Sequence, residues 1–348
     1  MRGGVALLLA GAFVAFGAAP AGAHGLSGAQ PTNFASRVRS VAPEVPGLRV
    51  AVRELGARFE VRNDTRFDVL VLGYEGEPYL RVGPGGVYEN RRSPSVFLNR
   101  SQTVTASVPA SYDAHAAPEW RRIGSGHKVS WHDHRVHWMG ASVPPAVHDS
   151  PGRTHLVSNW VVELRFRGQA VTVRGDLRWV PGPSVVPRLA LALIVAVGVT
   201  LFGFARRWGA LLAVILAGLA AIVAVLVGGE WSSTATTAGP WTALLATIYS
   251  VLGIGVALAA TAALVRSRRD PADATAIVLV AAVILTFGSG FADITYLARS
   301  QLPTTLPGPV ARTCVALVLG GSLGVLVTAA RKLRRPAALT IPATAAPA

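Results

Sequence analysis

Cysteine is almost absent from this sequence, since Cys314 is the only one in 348 residues. A single thiol cannot form a disulfide within the chain, so a domain outside the cytoplasm must be stabilised by its hydrophobic core or by a ligand. Catalytic motifs are missing as well: there is no phosphate loop, dinucleotide-binding fingerprint, Gly-x-Ser-x-Gly elbow or zinc-peptidase helix motif. We therefore do not expect an enzyme, unless a bound metal supplies redox or hydrolytic chemistry.

Hydrophobic residues are abundant by contrast, at 51% of the chain, and the formal charge is +15. This combination is typical of membrane proteins. Residues 1–23 have the pattern of a secretory signal peptide, with Arg2 at the start, an apolar core and the small residues AGA at the end. The alternative is an uncleaved helix, but the apolar core is short for a span of about 20 residues. Cleavage would leave His24 as the mature N-terminus.

Five long apolar segments follow, and each is long enough to cross a bilayer as a helix. They cover residues 185–205, 208–228, 241–265, 274–297 and 309–330. Basic clusters follow the first, third and fifth segments, whereas the other connections are nearly neutral. By the positive-inside tendency, the basic clusters are cytoplasmic. We expect a multi-pass protein of the cell membrane with residues 24–184 outside the cytoplasm, a transmembrane domain at 185–330, and a disordered cytoplasmic tail at 331–348.

Residues 24–184 have the pattern of one antiparallel β domain. Short segments rich in β-branched and aromatic residues alternate with turn signals such as NDT and GPGG. The predicted strands are LRVAVRE, RFEVRN, DVLVLGY, YLRV, GVYEN, HKVSWHDHRVHW, NWVVELRFRG and QAVTVRGDLRWV. The last two should form a hairpin with Gly168 and Gln169 at its turn. The predicted fold is an extracytoplasmic β-sandwich followed by a bundle of five transmembrane helices.

All eight histidines lie in the predicted outer domain, and three of them fall in the stretch WHDHRVHWM, residues 131–139. If this stretch is a strand, His132 and His134 share one face with their Cα atoms about 6.5 to 7 Å apart, so both can bind one ion. Asp133, Arg135 and His137 then share the opposite face, where they could form a hydrogen-bonded set without a metal. The alternative to a metal site is a polar strand face in contact with water.

Additional ligands for such an ion are available nearby. Imidazole binds copper, zinc, nickel and iron, and a thioether favours Cu(I). Met139 is the only methionine besides Met1, and a free N-terminal histidine would add an amine and a ring nitrogen suited to Cu(II). The predicted metal ligands are His132, His134, His137, Met139 and His24, with copper as the first choice and zinc as the second.

The predicted spans carry little chemistry of their own. They contain no histidine and no methionine, which argues against a copper permease. Asp293 is the one clear ionisable candidate, near the outer end of the fourth span, with Arg299 or Arg312 as a predicted partner. Gly320 and Gly324 have the GxxxG spacing that fits close helix packing or self-association. Formation of a homo-oligomer is therefore one of the open alternatives.

Three stretches, LGYEGEPYLRVGPGGVYENRRSP, WHDHRVHWM and RSQLPTTLP, resemble a family of actinobacterial membrane proteins. That resemblance runs over most of the chain and implies a signal peptide, a β-rich outer domain and about five spans, but no activity. The domain order is also similar to copper-resistance proteins in which a CopC-type β-sandwich with an N-terminal histidine precedes a membrane part. His24 matches that pattern, whereas the spacing of His132 and His134 and the ligand-poor spans depart from it.

Two functions from different classes follow from these observations. The first is a membrane-anchored, extracytoplasmic metal-binding protein for copper handling or delivery. The second is a cell-envelope assembly or interaction protein, which binds no metal and whose β domain docks a partner protein. The expected partners are the lipid bilayer and a membrane or envelope protein. Nucleic acid is not expected, because 20 Lys or Arg against 14 Asp or Glu in the outer segment is too diffuse a positive charge.

Overall fold

The computed structural model describes residues 29–100, 107–140, 142–234, 240–267 and 274–334. The predicted signal peptide, its cleavage site at His24 and the last 14 residues of the predicted tail lie outside these ranges. A region of β-sheet extends to Trp179, and a helical region begins at Val186.

The described part of the β region has ten strands, two short α-helices and a 3-10 turn at Glu54–Gly56. The strands are β1 (Phe34–Ala42), β2 (Leu48–Arg53), β3 (Arg58–Asn63), β4 (Val69–Leu72), β5 (Pro78–Gly83), β6 (Gly86–Asn90), β7 (Trp120–Gly124), β8 (Lys128–His132), β9 (His155–Phe166) and β10 (Gln169–Trp179). The helices are α1 (Pro94–Leu98) and α2 (Pro145–Asp149). A seven-stranded sheet has the order β1-β10-β9-β4-β5-β6-β7, and a three-stranded sheet has the order β2-β3-β8. All the strand pairs are antiparallel, which confirms the predicted antiparallel β-sheet.

The two sheets pack on one hydrophobic core. Alternate residues of β9 point inward, and Val162 and Leu164 of this strand are fully buried in the same cluster as Phe59 of the small sheet. The Phe59 ring lies edge-on to two tryptophans, with centroid distances of 5.2 Å to Trp131 and 5.9 Å to Trp160. Each such aromatic pair adds about 0.5–1.5 kcal/mol beyond the burial of its surface.

The predicted hairpin of β9 and β10 exists, but its turn lies one residue earlier than expected. The turn residues are Arg167 and Gly168, with φ angles of 53° and 81°. A two-residue hairpin turn that follows the right-handed twist of the strands needs positive φ at both positions, and Gly168 adopts it without a Cβ penalty. Strands β1 and β7 were not predicted, and β7 has only one aromatic and one β-branched residue in WRRIG.

Five further helices coincide with the five apolar segments. They are α3 (Val186–Phe202), α4 (Trp208–Thr234), α5 (Pro240–Arg266), α6 (Thr275–Leu285) and α7 (Gly308–Arg334). Within the described residues, two helices are long and apolar enough to cross a membrane, Trp208–Ser232 and Gly308–Arg334. Shorter apolar stretches cover Val186–Phe202, Val251–Arg266 within α5, and Thr275–Phe291. The predicted fourth span divides into α6, a π-helical turn at Thr286–Phe291 and a 3-10 helix at Ile294–Leu297.

Small residues bring α3 and α7 into close contact. A Cβ atom on Gly320 would lie 2.2 Å from the carbonyl oxygen of Ala192, and one on Gly324 would lie 2.6 Å from the Cβ of Val199. Only glycine permits this approach at these two positions. The GxxxG spacing therefore serves close packing within the chain.

The basic ends of the helices gather at the end of the bundle far from the β region. The guanidinium of Arg331 lies 4.2 Å from the centroid of the Phe204 ring, and the Lys332 ammonium lies 4.5 Å from that of Trp208. These contacts place the end of α7 beside the turn between α3 and α4, which carries Arg206 and Arg207.

The opposite end of the bundle contacts the β region. Thr32 and Gln301 form a two-way backbone bridge with N···O distances of 3.1 and 2.9 Å.

The predicted pairing of Asp293 with Arg299 or Arg312 is wrong, because neither arginine forms an ion pair with Asp293 in the described chain. Arg312 is buried and donates instead to the carbonyl oxygens of Tyr296, at 3.1 Å, and Arg299, at 2.5 Å.

Candidate functional site

The histidine stretch lies where β8 ends and the chain turns away from the small sheet. His132 is the last residue of β8 and pairs with Arg58 of β3. A turn follows at once, closed by a 3.2 Å hydrogen bond from the amide of Val136 to the carbonyl oxygen of Asp133. The two-residue alternation of a strand therefore stops at His132, so His137 does not lie on the face opposite to His132, as a continuous strand would have placed it.

The turn brings the rings of three histidines together, and we call them the histidine triad: His132, His134 and His137. The distances between ring centroids are 5.1 Å for His132 and His134, 4.3 Å for His132 and His137, and 5.9 Å for His134 and His137. Imidazoles that bind one tetrahedral ion at about 2.0–2.1 Å have centroids about 5 Å apart. The centroid distances of the triad scatter around this value, although among the described residues the rings do not have the geometry of a bound ion.

Backbone carbonyls fix the orientation of two of these rings. Nδ1 of His132 lies 2.8 Å from the carbonyl oxygen of Ala57, and Nδ1 of His137 lies 3.0 Å from that of Asp133. A carbonyl oxygen only accepts, so both Nδ1 atoms carry the hydrogen, and each Nε2 keeps its lone pair. Metal-binding histidines are held by the same kind of hydrogen bond from their second nitrogen.

The unpaired nitrogen atom is clearest at His132. Its Nε2 atom is buried and has no hydrogen-bond partner in the described chain. Burial lowers the pKa of His132, and it lowers the pKa of His137 to about 4, with a further contribution from His132. Both rings are therefore neutral at neutral pH, which is the form that binds a metal.

Asp133 supports the turn and is not available as a ligand. Its side chain is fully buried and accepts hydrogen bonds from Nε1 of Trp131 at 2.8 Å and from Nε and Nη2 of Arg135 at 2.9 and 2.7 Å. Burial alone would raise the pKa of Asp133, but the hydrogen bonds and charge of Arg135 outweigh it, so the pKa is lowered. The expected hydrogen-bonded set therefore forms with one change: the carboxylate of Asp133 binds Arg135 and Trp131, whereas the His137 ring bonds to the backbone carbonyl of Asp133 and not to its carboxylate.

Tyr74, which the sequence did not single out, holds the turn from the large-sheet side. Its hydroxyl oxygen accepts a 3.0 Å hydrogen bond from the amide of His134, and its ring lies 4.9 Å from the guanidinium carbon of Arg135. Tyr74 is about 60 residues away in the sequence. No local pattern connects it with the histidines, so only the tertiary structure reveals it.

The other two predicted ligands, His24 and Met139, have no described contact with the triad. His24 lies outside the described residues, and Met139 is half-buried beyond the turn, next to Trp138. Among the described residues, no three histidine, cysteine or acidic side chains already have the geometry of a bound ion. A metal would therefore require the three rings to rotate until their nitrogen atoms converge. Met139 and His24 as ligands stay predictions.

Comparison with protein-family models, with curated proteins and with solved structures finds no match for this chain. The resemblance to an actinobacterial membrane-protein family and to CopC-type proteins therefore stays a prediction.

Proposed function

We propose that this chain is a membrane-anchored protein whose β domain, outside the cytoplasm, binds a metal ion through His132, His134 and His137. One observation carries the proposal: the centroids of three imidazole rings lie 4.3–5.9 Å from one another, and the buried Nε2 of His132 has no partner in the described chain. An unpaired buried acceptor costs about 1–3 kcal/mol, and a metal ion would remove that cost.

Copper is the preferred ion, and zinc is the alternative. Imidazole nitrogens suit both, so the triad alone does not separate them. Met139 would favour Cu(I), because a thioether is a soft ligand, and it follows His137 by two residues. The proposed role is copper handling or delivery at the outer surface of the membrane.

The membrane part of the proposal is a bundle of five spans with the β domain outside the cytoplasm. Two observations support it: the five helices α3 to α7 coincide with apolar segments, and basic residues gather at the end of the bundle away from the β region. The positive-inside tendency makes that basic end cytoplasmic. Protease accessibility of the β domain in intact cells tests this orientation.

Metal stoichiometry of the full chain in detergent tests the site. After treatment with a chelator, the protein is incubated with Cu(II) or Zn(II), desalted and analysed for bound metal. We expect stoichiometric uptake by the wild type and at least a tenfold loss of affinity when His132→Ala and His134→Ala are combined. The matched control is His127→Ala, because His127 is exposed and lies just before β8.

A loss of folding must be separated from a loss of ligands. The thermal midpoint of each metal-free variant is compared with that of the wild type, and His137→Asn provides a second, less disruptive test. Equal and negligible uptake by the wild type and by the double variant would leave the docking of an envelope partner as the remaining function.

A further inference from the structure

A small cavity lies at the basic end of the bundle, between the turn that joins α3 to α4 and the end of α7. Its volume is about 40 Å³, and the residues that line it are Thr200, Gly203, Phe204, Thr328, Arg331 and Lys332. Phe204 and Arg331 are exposed, so the cavity opens to the surface of the bundle. Two of the lining side chains are cations, and none is acidic.

Aromatic rings hold both cations beside the cavity. The guanidinium carbon of Arg331 lies 4.2 Å from the centroid of the Phe204 ring, and the Lys332 ammonium lies 4.5 Å from that of Trp208. Such cation–π contacts are attractive, and they restrict long side chains that would otherwise sample many rotamers. The two positive groups are therefore ordered before an anion arrives.

The positive charge at this end is not matched by acidic side chains. The described part of this end of the bundle contains no aspartate or glutamate. Arg331 has no acidic partner among the described residues, and neither have the exposed Arg206 and Arg207 of the adjacent turn. Neighbouring like charges repel one another, so a bound anion would stabilise this arrangement.

An apolar stripe leads along α3 to the cavity and indicates which kind of anion fits. The stripe consists of Leu189, Leu193, Val197 and Leu201, which follow one another at intervals of four residues and are 44–66% exposed. On α7, Val327 is exposed one turn before Arg331. A free phosphate ion would leave this surface bare, whereas the acyl chains of a lipid would cover it.

We infer that this cavity binds the headgroup phosphate of an anionic phospholipid, held by Arg331 and Lys332, with the acyl chains along the apolar stripe of α3. Basic pockets between membrane helices recognise anionic headgroups on the cytoplasmic side. Arginine can donate two parallel hydrogen bonds to phosphate oxygens, and lysine adds a compact charge. The inference rests on the membrane part of the proposed function and is independent of the histidine triad.

Native mass spectrometry of the full chain in detergent counts the lipid molecules that stay bound. The probes are dioleoyl phosphatidylglycerol and dioleoyl phosphatidylcholine, which have the same acyl chains. The choline cation cancels the phosphate charge in the second lipid, so we expect phosphatidylglycerol to bind about tenfold tighter. Glycerol 1-phosphate has the charged group without the chains, and at equal concentration it should not displace phosphatidylglycerol.

Two charge-removing variants locate the site. Arg331→Gln and Lys332→Gln should each weaken phosphatidylglycerol binding about fivefold, which is the contribution of one basic residue near an anionic membrane surface. The matched control is Arg266→Gln, which removes the same charge from the last turn of α5 and does not line the cavity. Thermal midpoints in phosphatidylcholine close to that of the wild type show that the variants are folded.

Weaker phosphatidylglycerol binding by Arg331→Gln and Lys332→Gln, with unchanged binding by Arg266→Gln, supports the inference. Equal losses in all three variants would indicate a diffuse attraction, and equal binding of the two lipids by the wild type would show no headgroup preference. Either result overturns the inference, as does displacement by glycerol 1-phosphate. A protease test that places the β domain in the cytoplasm would contradict the proposed orientation but not lipid binding, so the two failures are distinguishable.

Discussion

The amide of Ser300 donates a 2.9 Å hydrogen bond to the side-chain oxygen of Asn33, although 267 residues separate them. The carbonyl oxygen of Asn33 accepts a second hydrogen bond, of 2.8 Å, from the amide of Val180. The hydroxyl of Ser300 in turn donates to the carbonyl oxygen of Val180 at 2.8 Å. The start of β1, the chain that leaves β10 and the segment before α7 are thus joined at one buried asparagine.

Asn33→Ala should weaken the attachment of the β region to the helices. The amide of Ser300 would lose its acceptor at a buried site, which costs about 1–3 kcal/mol. The measurement is the thermal midpoint of the full chain in detergent, and Asn159→Ala is the control, because Asn159 is exposed on β9. A midpoint equal to that of the control would show that this contact does not stabilise the protein.

Asp133→Asn should destabilise the turn that carries the histidine triad. Asp133 is fully buried and its carboxylate matches the charge of Arg135, whose side chain is 18% exposed. Loss of one partner of a buried ion pair leaves the other charge uncompensated and costs about 3–5 kcal/mol. The free energy of unfolding in denaturant measures this cost. Asp149→Asn, at an exposed aspartate, should change it little, and equal effects of the two substitutions would contradict the prediction.

Acid should weaken the β region partly through Asp176. Burial would raise the pKa of Asp176, but the hydrogen bonds and charges of Arg39 and Arg178 outweigh it, so the pKa is below its ordinary value of 3.8. A lowered carboxyl pKa means that the unfolded chain binds the proton more readily. The contribution of the Asp176 carboxylate to the free energy of unfolding is therefore present above pH 3.8. It is lost as the pH falls through the lower pKa of the folded state.

Thermal midpoints measured from pH 6 downward test the role of Asp176. Asp176→Asn should show a smaller decrease below about pH 4 than the wild type, because its side chain does not titrate. Glu163→Gln is a matched control on the neighbouring strand β9. If Asp176→Asn and the wild type lose stability in parallel, other carboxylates determine the acid limit.

Truncation of a side chain in the core between the two sheets should destabilise the protein far more than truncation of an exposed side chain on the same strand. Leu164 is fully buried on β9, whereas Leu156 on that strand is 52% exposed. Leu164→Ala should cost about 2–5 kcal/mol through lost burial and the cavity that remains. Leu156→Ala should change the free energy of unfolding by about 0.5 kcal/mol or less. Similar losses would mean that the large sheet does not pack as described.

The sequence predicted the local parts of this fold well. Strands β3 and β6 match the predicted segments RFEVRN and GVYEN residue for residue, because alternation and turn residues are local signals. The histidine triad was predicted only in part. Its residue types are evident, but the end of β8 at His132 depends on the turn that Asp133 and Arg135 stabilise, and the contribution of Tyr74 depends on tertiary packing.

Glycine at position 320 should be required for the contact between α3 and α7, whereas glycine at 198 should not. A Cβ atom on Gly320 would lie 2.2 Å from the backbone oxygen of Ala192, so the helices would have to separate. A Cβ atom on Gly198 of α3 would meet no atom within 4 Å. Gly320→Ala should therefore cost about 1–3 kcal/mol through overpacking.

Gly198→Ala is the matched control, because it adds the same methyl group to the partner helix and alanine favours helix by about 1 kcal/mol over glycine. The thermal midpoint in detergent should fall for Gly320→Ala and stay level or rise for Gly198→Ala. If both substitutions raise it, the glycines would act only through helix propensity, and the close approach of α3 and α7 would not contribute to stability. Changes of opposite sign in the thermal midpoint of Gly320→Ala and Gly198→Ala are expected only if the backbones of α3 and α7 touch at Gly320.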